Sequence, residues 1–229
     1  MNGLFVTGTD TGTGKTRVAQ ALLRAYAKRG LRVAGMKPVA SGADFLGNEL
    51  VNEDALALQQ ECSETIPYAL INPYVFQPPI APHIAAQLAG VEICPDRLLS
   101  AYQALSGKND VVIVEGAGGW RVPLGQDLTT ADLVKLFNIQ VILVVGLRLG
   151  CINHALLTAE VIQHDGVALA GWVASHIDPL YAEPEQTLTT LVRNIDAPLL
   201  GVLPYCTKID VGHLAERLDV DQIAPDLAT

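Results

Sequence analysis

The sequence predicts an α/β domain with a mostly parallel sheet and helices on both of its faces. Apolar segments of strand length recur along the whole chain, most are unbroken rather than alternating, and helical patterns lie between them. The first strand is Leu4 to Thr7, followed by a glycine-rich turn and an amphipathic helix from Thr16 to Lys28. A second strand covers Arg32 to Met36, and Asn52, a residue suited to opening a helix, places Asp54 in a first helical turn. The proline-rich stretch Asn72 to Pro82 reads as a surface loop. Strands follow at Val111 to Val114 and Val141 to Val145, then a helix from near Asn153 to His164. A strand over Ala168 to Ala174, a helix over Glu185 to Arg193 and a strand over Leu199 to Leu203 complete the alternation. With no internal repeat, low-complexity tract or linker, residues 1–229 are expected to form one domain.

Composition narrows the function classes. Half of the 229 residues are hydrophobic and 17% are charged, with a mean hydropathy of +0.30, so a sizeable core is available and general disorder is excluded. Lys and Arg number 15 against 24 Asp and Glu, a net charge of −9 with no basic run, which argues against nucleic-acid or anionic-membrane partners. Cys62, Cys94, Cys151 and Cys206 lack the C-x-x-C spacing of zinc or redox sites and read as intracellular thiols. Met1-Asn2-Gly3 runs directly into a strand without a basic leader, and the longest apolar run, Val141 to Leu147, is too short to span a bilayer. A cytoplasmic protein is expected.

In parallel sheets flanked by helices, ligands sit beyond the carboxyl ends of the strands. After the first strand comes Gly8-Thr9-Asp10-Thr11-Gly12-Thr13-Gly14-Lys15-Thr16 and then a helix. Strand, glycine-rich turn and helix let backbone N–H groups and a helix N-terminus surround a phosphate, with Lys15 on the β and γ phosphates and Thr16 on Mg²⁺. The strict spacing requires glycine where Thr9 stands, so this is a variant phosphate loop of the P-loop NTPase type. Glu115 ends the third strand at a second glycine-rich loop, where a carboxylate can reach a metal or a water. Asp54 also complements a helix dipole, and Lys37-Pro38 taken alone describes an exposed lysine at a strand end.

The ordered set of segments is more specific. Phe5-Val6-Thr7-Gly8-Thr9-Asp10-Thr11 with Gly14-Lys15-Thr16, Lys37-Pro38-Val39-Ala40-Ser41-Gly42, Asn52 to Leu58 and Asn72-Pro73-Tyr74 are followed by Val114-Glu115-Gly116-Ala117-Gly118-Gly119-Trp120. Val141 to Gly146, Gly150-Cys151-Ile152-Asn153-His154 and Ala170-Gly171-Trp172-Val173-Ala174 continue it. Together they resemble the dethiobiotin synthetase family, ATP-dependent ligases of biotin synthesis, over all but the tail after Cys206.

The resemblance implies a ring closure in which 7,8-diaminopelargonate takes up CO₂ (or bicarbonate) as a carbamate, ATP phosphorylates it, and the second amine displaces phosphate. Every intermediate is anionic, so cations and backbone donors are needed rather than a protein nucleophile. On this reading Lys37, Lys15 and Thr11 are catalytic, and Thr16, Asp54 and Glu115 hold Mg²⁺ through hard oxygens. ATP is expected at Gly12, Thr13, Gly14, Lys15, Thr16 and Arg17, at Asp54, at Glu115, Gly116, Ala117 and Gly118, and at Ser175, His176, Pro204 and Tyr205. Ser41, Gly118, Gly119 and Gly150-Cys151-Ile152-Asn153 are expected to bind the diamine, the last segment from the opposite subunit of a homodimer. His154 is expected to be structural. Gly12 stands where some members carry Glu, and Ser175 where members commonly have an Asn contacting adenine. Two other classes use related loops. A partition-type switch ATPase carries a signature Lys at the position of Asp10, and a small-molecule kinase needs an Arg-rich lid, for which Arg121 is the sole candidate.

Overall fold

The computed structural model describes residues 3–223. In chain order the elements are β1 (Gly3–Gly8), α1 (Lys15–Lys28), β2 (Val33–Met36), β3 (Val39–Ser41), β4 (Asp44–Leu46), β5 (Glu49–Val51) and α2 (Glu53–Gln60). Next come α3 (Tyr68–Ile71), β6 (Tyr74–Phe76), α4 (Pro82–Leu88), α5 (Pro95–Ser106), β7 (Val111–Glu115) and α6 (Thr130–Phe137). The chain continues through β8 (Gln140–Leu147), α7 (Cys151–His164), β9 (Leu169–His176), α8 (Pro184–Asn194), β10 (Leu199–Leu203) and α9 (Val211–Ala215).

Six strands form one parallel sheet in the order β10-β9-β8-β1-β7-β2. The chain crosses to the β2 edge, returns through β7, and passes over β1 to β8, so the order reverses around β1. A crevice opens at the carboxyl end of the strands at such a reversal. The expected α/β architecture is therefore the observed one, and the phosphate loop occupies its switch point.

Strand alternation explains the unbroken apolar runs. Leu4 and Val6 pack with α1 residues such as Val18 and Leu22 on one face, whereas Phe5 joins Met36, Val114 and Leu98 on the other. A third cluster gathers Leu143, Val145, Trp172 and Ala174 against Ala155 and Leu191. Both faces of the central strands are covered, so the side chains on each face are mostly apolar, with Thr7, Glu115 and Ser175 the buried polar ones near the carboxyl ends of β1, β7 and β9.

The stretch Asn72 to Pro82 departs from the expected surface loop. Tyr74–Phe76 forms β6 paired in parallel with β3, and Asn72, Tyr74 and Phe76 are buried. The Asn72 side-chain amide donates to the carbonyls of Lys37 (2.6 Å) and Tyr74 (2.9 Å). Its prolines mask a three-residue strand because the second half, Pro78 to Ala81, does turn outward. The helix expected from near Asn153 starts earlier, at Cys151, with Gly150 as its N-cap at φ 93°.

Gly201 on β10 is a packing constraint. A Cβ there would lie 2.1 Å from the Arg217 carbonyl oxygen, a backbone atom. Gly201→Ala is expected to destabilise the fold by about 1–3 kcal/mol, the usual cost of overpacking, and a thermal melt should show a drop of several degrees.

Candidate active site

The phosphate loop owes its course to two glycines. Gly12 has φ 75° and Gly14 φ 91°, values that L side chains rarely adopt, and Gly14 is the N-cap of α1. Thr13 Oγ1 donates to the Asp10 carbonyl at 3.2 Å and Lys15 Nζ donates to the same oxygen at 2.8 Å. Burial is the main force lowering the Lys15 pKa to about 8, reinforced by the nearby Lys37 charge and opposed by Glu115 and Asp54.

Beside the loop four side chains converge from four elements. Thr16 Oγ1 on α1 donates to Asp54 Oδ1 (2.7 Å) and Glu115 Oε1 (3.0 Å). Lys37 Nζ, just past β2, donates to Asp54 Oδ2 (2.9 Å) and Glu115 Oε1 (2.7 Å). Asp54 is held at the start of α2, where Asn52 Oδ1 accepts the Ala55 N–H and the Asn52 amide donates to the Gly42 carbonyl. Lys37 is thus buried rather than an exposed strand-end lysine.

The electrostatics follow from burial and pairing. Desolvation disfavours the Lys37 charge, but Glu115 and Asp54 outweigh it and raise its pKa. Desolvation likewise opposes ionisation of Asp54, yet Lys37, the Thr16 hydroxyl and Lys15 keep its pKa below the ordinary value. At Glu115 desolvation prevails over Lys37 and the carboxyl is raised. Glu115 Oε2 is buried and has no hydrogen-bond partner among the described residues.

That orphaned oxygen tests the fit of a divalent cation. A hydroxyl and two carboxylates, one of them with an unsatisfied oxygen, form a hard-oxygen donor set of the type Mg²⁺ takes. No cluster of three or more His, Cys, Asp or Glu able to hold a metal by themselves occurs among the described residues. The set suits an ion that borrows its remaining ligands from phosphate and water.

These groups line a cleft of about 930 Å³. Thr11, Gly12, Gly14, Lys15, Thr16, Arg17, Lys37, Ser41, Asp54, Glu115, Ala117 and Gly118 all face it, as does Tyr205. Thr13, Gly116, Gly119, Ser175, His176 and Pro204 do not line it. Gly116 packs against the Phe5 ring, where an added Cβ would stand 2.8 Å away. Ser175 is 1% exposed, with its hydroxyl 2.7 Å from where a Gly14 Cβ would be, so it supports the phosphate loop from beneath. The neighbouring side chain that opens to the cleft is Ile177.

Gly150, Cys151, Ile152 and Asn153 lie outside this cleft. Cys151 is buried, and Gly150 and Asn153 are exposed. Sequence reasoning missed the cleft's apolar wall, Pro79, Ile80, Ala81 and Pro82, which a reading of this stretch as mere surface concealed. Arg121 is no lid over phosphates: it pairs with Asp165 at 2.8 Å.

A parallel sheet whose order reverses at a glycine-rich loop, with a buried lysine, a hydroxyl and two acids beside it, defines a P-loop nucleotide-binding protein. A protein family described as an AAA domain matches residues 2–211. The chain is 50% identical to the ATP-dependent dethiobiotin synthetase BioD of Aromatoleum aromaticum over 93% of its length and 95% of that protein. Identity is 49% to the same enzyme of Pseudomonas paraeruginosa (96% and 97% of the two chains) and 45% to that of Yersinia pestis (94% and 90%). The chain belongs to the ATP-dependent dethiobiotin synthetase family. Among solved structures, the septum site-determining protein MinD of Pyrococcus horikoshii with Mg-ADP is similar in fold alone, with a TM-score of 0.56 at 18% identity over 96% of this chain and 88% of that one. No helix among the described residues is long and apolar enough to cross a membrane.

Proposed function

We propose that this chain is an ATP-dependent cyclo-ligase that forms the ureido ring of dethiobiotin from 7,8-diaminopelargonate, CO₂ and ATP. The observation that carries the reading is the buried Lys37, held between Asp54 and Glu115 on the wall of the phosphate cleft. A cation locked in place by two carboxylates stabilises charge that develops on oxygen without reorganising.

The carbamate oxygen attacks the γ-phosphorus and the bond to ADP breaks; the second amine then attacks the carbamoyl carbon and phosphate leaves. Lys15 and the loop N–H groups orient the triphosphate. Thr11 and Ser41 offer hydroxyls on the cleft wall to the carbamate and the free amine. Thr16, Asp54 and Glu115 would hold Mg²⁺, which would neutralise phosphate charge during the transfer. The apolar segment from Pro79 to Pro82 suits the alkyl chain of the substrate.

The reading includes a homodimer and a cytoplasmic location. Gly150-Cys151-Ile152-Asn153 opens α7, where the Cys151 N–H donates to the Arg148 carbonyl and the N–H groups of Ile152 and Asn153 suit a carboxylate, yet the segment lies off the cleft of its own chain. A second subunit supplying this segment reconciles the two. Lys15→Ala and Gly150→Glu variants, each inactive, are then expected to regain activity when refolded together, since mixed dimers restore one intact site. No recovery despite demonstrated subunit exchange rejects the shared site.

The decisive assay measures ADP release with the diamine and bicarbonate each omitted in turn. Release that requires both supports ring closure, and ATP hydrolysis indifferent to the diamine rejects it.

A further inference from the structure

Asp10 uses every oxygen it has. Its Oδ1 accepts the Thr11 N–H at 2.7 Å, its Oδ2 accepts from the Arg148 guanidinium at 2.5 Å, and its carbonyl accepts from Lys15 Nζ and Thr13 Oγ1. The backbone donation from Thr11 and the Arg148 charge keep the carboxyl below its ordinary pKa despite some burial. The residue is a hub that braces the phosphate loop and holds the Lys15 ammonium.

Arg148 is the first residue beyond β8, whose neighbour in the sheet is β1. Its carbonyl accepts the Cys151 N–H at 3.1 Å, at the start of α7. One residue thus holds the first turn of α7 through its backbone and grips the phosphate loop through its side chain. The far end of α7 is anchored as well: Asp165, its C-cap, accepts from Trp120 Nε1 (2.7 Å) and from Arg121 (2.8 Å), which follow the Gly116–Gly119 loop.

We propose that Arg148 is a positioning residue that acts through Asp10, joining the phosphate loop to the start of α7 so that Lys15 and Thr11 are held for phosphoryl transfer. The pair is exposed at 39% and 51% of its side-chain surface, and exposed ion pairs contribute little to folding stability. Its removal is therefore felt in phosphate handling rather than in the melt.

The turnover arm rests on the ring-closing reading; the binding arm does not. Arg148→Gln and Asp10→Asn are each expected to lower kcat/KM for ATP about tenfold and to weaken binding of a fluorescent ATP analogue, with melting temperatures close to wild type. The double variant should lose no more than either single one, because both break the same contact. Arg148→Lys, which keeps a donor and the charge, should return to within about threefold of wild type. Unchanged kinetics and analogue affinity in Arg148→Gln, a double loss equal to the product of the singles, or Arg148→Lys no better than Gln would each overturn the proposal. If the wild-type enzyme shows no diamine-dependent ADP release, the ring-closing reading fails, and the analogue affinities of the four variants still decide the role of Arg148.

Discussion

Lys37→Ala is expected to lower kcat about 10²- to 10³-fold, the usual consequence of removing one oriented electrostatic donor. The ammonium faces the cleft and also separates two acids that share the Thr16 hydroxyl; on the proposed mechanism charge develops beside it. Truncation leaves the buried Glu115 without its cation, and breaking a buried pair costs about 3–5 kcal/mol. Turnover and folding must therefore be read separately, with kcat measured at a temperature where a denaturant titration shows the variant folded. Binding of ATP should persist, because the loop and Lys15 are intact. Lys37→Gln keeping activity within about threefold of wild type would reduce Lys37 to a structural counter-ion.

Asp54→Asn and Glu115→Gln should each raise the Mg²⁺ concentration for half-maximal rate by about 10- to 100-fold, the range for weakened metal ligation. Amides keep the size of the acids and remove their charge. Glu115 is the more demanding position, since it is buried and also neutralises Lys37. Titrating Mg²⁺ at fixed ATP resolves the two variants, and unchanged metal dependence in either removes that residue from the ligand set.

Local chemistry made part of this site readable. The first strand, the glycine-rich turn and α1 follow one another within 28 residues, and the helix opened by Asn52 begins one residue later at Glu53 as expected. The other elements between Val39 and Ser106 carry weaker local signals. Strands of three residues, such as β3 and β6, are too short to show a period. The start of α6 did carry a signal, a capping box in which Thr129 Oγ1 accepts the Asp132 N–H and the Asp132 carboxylate accepts the Thr129 N–H. Its acid is Asp rather than the usual Glu or Gln, so it departs from the common capping-box pattern.

The sequence by itself determined the sheet-and-helix alternation and the phosphate loop, because both are written in contiguous residues: apolar runs bury both faces of a strand, and Gly12 and Gly14 supply positive φ where the loop turns. Resemblance across many segments added the family and the candidate residues. Only the tertiary structure decided which of these meet. Thr16, Lys37, Asp54 and Glu115 come together because β7 lies between β1 and β2 in the sheet, an order that no local periodicity encodes. The same packing turned Ser175 toward Gly14 instead of the cleft and brought Arg148 to Asp10 across 138 positions of chain. Such contacts depend on strand order and side-chain direction, which are settled only when the whole core closes.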